Sequence, residues 1–241
     1  MENKKWTKKY LVIIWLITLI VVICAIFTNV FKWSSFWFSG RAHGNVDINN
    51  YDFSKEKITD IAIDMNAADV NIQVGDEFSV ETSFPEKYAP TVNLENGKLA
   101  ITQKQNMKDL GGFDDLKLDI VVPGDAKLDT LKIDIAAGDV DIQDVKVDKL
   151  NLDANAGDID INDIIADKVE VDANAGDINV MDATAKSIDV NVNAGDVDIT
   201  GTFDKIDCDC DLGDIDIDAP NTDRSNIDVD CALGSVNVNA K

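Results

Sequence analysis

The chain has 241 residues, 45 acidic against 22 basic, with a formal net charge of −23 and a pI near 4.1. So acidic a surface disfavours nucleic acid, whose phosphates are held by Lys and Arg. The single histidine, His43, excludes Ser-His-Asp and Cys-His machinery from the rest of the chain, and no phosphate-cradling glycine loop or metal-hydrolase motif is present.

Residues 1–9 read as a cytoplasmic N-terminus, because Lys4, Lys5, Lys8 and Lys9 precede an apolar stretch. Residues 10–31 hold 22 residues without a charge, enough for one transmembrane helix across a hydrocarbon core of about 30 Å. Trp6 and Tyr10 flank one boundary and Trp33, Phe36, Trp37 and Phe38 the other, as interfacial aromatics do. A cleaved signal has an apolar core of only about 7–15 residues and a small-x-small site, which is missing here. Ile23 stands before Cys24 where a lipoprotein signal would need a small residue. The expectation is an uncleaved single-pass anchor in the cell membrane, with the C-terminal domain extracellular. Residues 32–50 form a short polar connector.

Residues 51–130 read as an N-terminal β cap with one degenerate rung. Ile61, Ile63, Met65, Ala68, Val70 and Ile72 follow the pattern of the repeats described next, with Ala68 in the glycine position. Further strands are expected at Phe78 to Thr82, Thr91 to Leu94, Leu99 to Thr102 and Leu116 to Val122, with Asn96-Gly97 as a hairpin turn. Lys104 to Asp115, with Gly111-Gly112, reads as a mobile loop.

Residues 131–241 repeat one phrase six times around Gly138, Gly157, Gly176, Gly195, Gly213 and Gly234, in steps of 19, 19, 19, 18 and 21 residues. Positions seven, five and three before each glycine, and two and four after it, are apolar in every repeat; Leu150, Leu152, Ala154, Ile159 and Ile161 fill them around Gly157. The columns between are nearly all Asp, Asn, Lys or Glu. Alternation of period two with β-branched residues and a recurring Gly means half-buried strands rather than helices. Each repeat is read as two short strands joined at an Asn-Ala-Gly-Asp corner where Gly supplies positive φ. The fold class is all-β, a single-stranded β-solenoid of about 19-residue rungs with an N-terminal β cap, preceded by one transmembrane helix. Its last rung departs from the Asp columns at Ser235 and Asn237. It is expected to cap itself through the Asp218 to Asn226 loop, the alternative being an open edge that stacks on a partner.

After residue 40 the chain holds 17 basic and 44 acidic residues, a net of −27. Aspartates fall into columns. Asp139, Asp158, Asp177, Asp196 and Asp214 follow the glycines; Asp134, Asp153, Asp172, Asp209 and Asp230 form a second column, and Asp141, Asp160, Asp198 and Asp216 a third. The first column suits hydrogen bonding to the corner backbone. The other two are candidate binding residues for a cationic peptide or basic protein, or for calcium between rungs, although the Gly-Gly-x-Gly-x-Asp calcium repeat is absent. No other cofactor is implied. Cys210 and Cys231 share a column in consecutive rungs, within disulfide reach, yet both also fit as small inward hydrophobes. With Cys208 they make only a weak zinc signal. Paired carboxylates are everywhere, but flat solenoid faces offer no glycosidase pocket, and Phe203 is the only aromatic after residue 130.

The apolar anchor, the Leu116 to Pro123 strand ending Val-Val-Pro, and the (N/A)-A-G-D-(I/V) rungs together resemble the bacterial "putative adhesin" domain family. The likeness is greatest to its membrane-anchored members found with Lia-type cell-envelope stress systems of Gram-positive bacteria. It covers about residues 45–241, implies the solenoid fold, and brings no catalytic residues. The expected function is therefore non-enzymatic: envelope stress sensing or scaffolding through a basic partner. The alternative is a structural or adhesive surface rod, calcium-stiffened or self-associating.

Overall fold

The computed structural model describes residues 46–104 and 116–241, and within them the alternating pattern forms one sheet of seventeen strands. The expected anchor at 10–31, His43, Cys24, most of the connector and most of the Lys104 to Asp115 loop lie outside the described residues. Among the described residues no helix is long and apolar enough to cross a membrane.

The N-terminal part contains β1 (Asp47–Asp52), β2 (Asp60–Met65), β3 (Asp69–Gly75), β4 (Ser79–Phe84), β5 (Thr91–Glu95), β6 (Lys98–Thr102) and β7 (Lys117–Pro123). β5 and β6 are antiparallel around Asn96-Gly97, both at positive φ, as the hairpin signal predicts. β1, which begins inside the stretch read as connector, pairs antiparallel with β4, and β4 with β7. These antiparallel strands close the N-terminal end of the stack, where open parallel edges would otherwise invite further pairing.

The regular rungs run through β8 (Leu128–Ile135), β9 (Val140–Gln143), β10 (Lys146–Ala154), β11 (Ile159–Asn162) and β12 (Ile165–Ala173). They continue through β13 (Ile178–Ala194), β14 (Val197–Leu212), β15 (Ile215–Ala219), β16 (Ile227–Leu233) and β17 (Val236–Ala240). Each rung pairs parallel with the next, Leu150 beside Leu131 and Val169, Ile159 beside Val140 and Ile178, and the register shifts only between Val180 and Ala183 in the β13–β14 pair. The inward columns are buried: Leu131, Leu150, Val169, Ile206, Ile142, Ile161 and Ile199 are all fully covered. No rung hides its apolar face alone; neighbours above and below do it together. This is an all-β solenoid of about six turns.

Two features depart from the sequence reading. Each rung has a third short side. At Asp144, Asp163 and Asp182 the chain turns again at φ of 52–60°, and buried Val145, Ile164 and Ala183 follow. Asp tolerates this left-handed conformation better than most residues. A further corner interrupts the alternation at Asp148-Lys149, between buried Val147 and Leu150. The second departure is in the order of stacking. β2 and β3 lie between β6 and β8 on one side and between β7 and β9 on the other, all parallel. The degenerate rung is thus interior, and β6–β7 forms a further rung outside it.

The last rung is not capped in the way expected. The segment after β15 tucks in sideways: Thr222 is buried and exchanges hydrogen bonds with the backbone of Phe203, while Lys241 N donates to Thr222 O. This closes the third side of the rung, while among the described residues nothing lies over its outer face. Val229, Cys231 and Val238 are only half-buried, and Val236 and Leu233 are 44% and 68% exposed. Among the described residues β16 pairs only with β14, and β17 only with β15.

Candidate functional site

The glycine corners fix the geometry from which the aspartates project. A Cβ at Gly138, Gly157, Gly176, Gly195 or Gly213 would lie 1.8–2.0 Å from the carbonyl oxygen of the residue stacked beneath it, and each φ is positive, 127–151°. Gly234 is packed as closely, its Cβ falling 1.6 Å from Gly213 O. Positive φ was the reason read from the sequence; the close approach of successive corners is the second. Ala68 escapes both demands. On its far side the Gln103 side chain accepts from the N–H groups of Asn66 and Ala67.

The aspartates after the glycines are occupied by the backbone. Asp139 Oδ1 accepts from Asp158 N at 2.9 Å, Asp158 from Asp177 N, Asp177 from Asp196 N, Asp196 from Asp214 N, and Asp214 from both the N–H and hydroxyl of Ser235. Those two bonds hold the Asp214 carboxyl below its ordinary pKa.

The two candidate binding columns stand as continuous files. In one, Asp64, Asp134, Asp153, Asp172, Asn191, Asp209 and Asp230 are successive neighbours. In the other, Asn71, Asp141, Asp160, Asn179, Asp198, Asp216 and Asn237 are. Asparagine's part in these files was not recognised in the sequence. Asn179 Nδ2 donates to Asp160 at 2.9 Å, Asn191 Nδ2 to Asp172 at 3.0 Å, and Asn237 Nδ2 to Asp216 at 3.2 Å. Each amide supplies a donor where another carboxylate would only repel. A separate Asn155, Asn174, Asn193 ladder runs beside the corners at 2.8 and 2.6 Å. The available signal was the recurrence of Asn at fixed offsets from the glycines.

The ion-paired lysines among the described residues take other acids. Lys149 and Lys168 meet Glu170, Lys186 meets Asp167, Lys205 meets Asp207 and Lys127 meets Asp148. None of these ion pairs among the described residues reaches the nine candidate aspartates. Shallow depressions run along this face, one bounded by Asp153, Asp172, Asn174, Asn191 and Asn193, another by Lys132, Asn151, Asp153, Glu170 and Asp172. Both share Asp153 and Asp172. Toward the C-terminal end, Asp209 has its pKa raised, by burial first and then by Asp207, Asp230, Asp228 and Asp189. Such a surface attracts cations. Among the described residues, however, no three His, Cys, Asp or Glu side chains gather closely enough to hold a metal ion. The three described cysteines are unpaired thiols.

The family model described as Toastrack DUF4097 matches residues 58–241. The chain belongs to this family. The Toastrack domain is similar in fold to a "putative adhesin" from Bacteroides fragilis, at 13% identity, 80% of this chain, 97% of that one and a TM-score of 0.51. It is also similar to a "putative cell adhesion protein" from Clostridium sporogenes, at 12% identity, 81% of this chain, all of that one and a TM-score of 0.50. These likenesses concern the fold. A comparison with curated proteins finds no match.

Proposed function

We propose that this Toastrack domain is a non-enzymatic adhesive or scaffolding module of the cell surface. Residues 10–31 tether it to the membrane, and its acidic files bind a basic protein or peptide. The adhesion names carried by its relatives in fold support the surface role. The observation that carries the binding role is the pair of files themselves: nine aspartates held in register at strand spacing, with no lysine paired to them among the described residues. Carboxylates about 4.8 Å apart repel even through solvent, and a cationic chain laid along them relieves that repulsion. A role in envelope stress, sensing or scaffolding, is the narrower form of this proposal, motivated by the resemblance to Lia-associated proteins.

The test uses the full-length chain and a lysine-rich peptide in low salt. Changing Asp153, Asp172, Asp209 and Asp230 to Lys should abolish capture while leaving the far-ultraviolet spectrum intact. Capture that survives the reversal refutes the acidic file as the binding surface. The edges of β16 and β17, unpaired among the described residues, favour self-association as the second reading, which reversing Asp153 and Asp172 alone would leave unchanged in sedimentation.

A further inference from the structure

One inward column ends in two cysteines, Cys210 and Cys231. Cys208, Cys210 and Cys231 all point toward the interior of the last two rungs, and none is paired. Register separates their roles. Cys210 lies directly beside Cys231 in the parallel ladder of β14 and β16, whereas Cys208 lies beside Val229. In-register neighbours are about 4.8 Å apart, inside the span of Cα separations that a disulfide accepts. Each of the two thiols is aimed at a corner carbonyl, Cys210 at Gly195 O at 3.5 Å and Cys231 at Gly213 O at 3.2 Å. Cys210 is 3% exposed and Cys231 is half-buried at the uncovered rung, so an oxidant in solution meets Cys231 first.

We propose that Cys210 and Cys231 are a redox pair that closes to a disulfide and staples the last rung to the one before it. The oxidant is a small disulfide of the oxidised-glutathione class. The Cys231 thiolate attacks one of its sulfurs, and the other leaves as a thiolate that takes up the proton. The Cys210 thiolate then attacks Cys231 Sγ, expelling the second small thiol. Two electrons pass from the protein thiols to the oxidant, one external S–S bond breaks and one protein S–S bond forms. Burial holds the Cys210 thiol above its ordinary pKa, which lowers the fraction present as the attacking thiolate. The closed loop, residues 211–230, includes the whole Thr222 segment, so the crosslink restrains the rung with the least cover.

The experiment uses the full-length chain carrying Cys24→Ser, reduced and then exposed to oxidised glutathione. A protease that cuts before aspartate separates Cys208 from Cys210 at Asp209. The expected product is residues 209–210 linked to a fragment beginning at Asp230. Cys208→Ser should leave that product intact, and Cys210→Ser should trap the glutathione adduct on Cys231. Closure should slow hydrogen exchange in β16 by on the order of a hundredfold, the effect of closing a loop of this length. Linkage through Cys208, an adduct that never resolves in the Cys24→Ser chain, or unchanged exchange in β16 would overturn the proposal.

Discussion

Replacing Gly176 by Ala puts the stacking of the corners to a direct test. The new Cβ would lie 1.9 Å from Gly157 O and 2.6 Å from its carbonyl carbon, both backbone atoms that no rotamer change can move. Restoring ordinary contact requires the two corners to separate by about 1.5 Å, which a ladder of fixed spacing resists. That movement breaks the bond from Ile159 N to Asp177 O at 2.9 Å, from Gly157 N to Ala175 O at 3.1 Å and from Asp177 N to Asp158 Oδ1 at 2.9 Å. Three such bonds contribute about 1 kcal/mol each. A φ of 134° adds about 1–3 kcal/mol for any residue with a side chain. The sum, about 4–6 kcal/mol, is comparable with the whole stability of many domains. Gly124 is the control: its Cβ would meet only Val74 Cγ1, at 3.2 Å, and Gly124→Ala should cost under about 1 kcal/mol. Urea unfolding of the full-length variants, with hydrogen exchange to locate the damage, reads both. If Gly176→Ala falls within about 1 kcal/mol of Gly124→Ala, close stacking is not what the glycines serve.

Two further predictions concern the acidic files. Asn179→Asp removes the 2.9 Å amide bond to Asp160 and places a fifth carboxylate in the run from Asp141 to Asp216. It should cost about 1–2 kcal/mol in low salt and less as salt is added; a loss indifferent to salt would contradict the electrostatic account. Asp209→Asn should act in the opposite direction. Because the folded-state pKa of Asp209 is raised, its ionised form opposes folding above that pKa, and the penalty fades as pH falls toward the unfolded value of 3.8. The variant should therefore be more stable than the parent at neutral pH and equal to it in acid, as read from melting midpoints across that range. A neutral-pH loss would show that the side chain has a structural partner instead.

The repeat was legible because its two periods are independent of composition: the five inward columns flanking each repeat glycine, from Leu131 to Val238, are apolar, and each repeat holds that Gly. Why Gly was required was only half legible, since the contact from Gly157 to Gly176 exists only once rungs are stacked. The second corner was hidden for a different reason. Asp144, Asp163 and Asp182 recur at the same 19-residue interval as the glycines, but in a chain so rich in Asp they did not stand out. Asn179 and Asn191 were left out of the acidic columns read from the sequence, and their amide bonds make each the neutral link of its own file. The place of β2 and β3 could not be read at all. Their own pattern states which face is buried, but says nothing of which rungs will cover their two edges.

That interleaving has a bearing on how the chain acquires its structure. From β8 onward each rung finds its neighbour about 19 residues away, a short loop to close, so assembly there can proceed in the order of synthesis. The β2–β3 rung cannot. One edge waits for residues 98–123 and the other for residues 128–143, with Ile63 paired to Ile133 across 70 positions. The N-terminal segment is made first and completed late, held open until two later pieces arrive on either side. The slow step of folding therefore belongs to the irregular end of the molecule, and the monotonous end supplies the template onto which it closes.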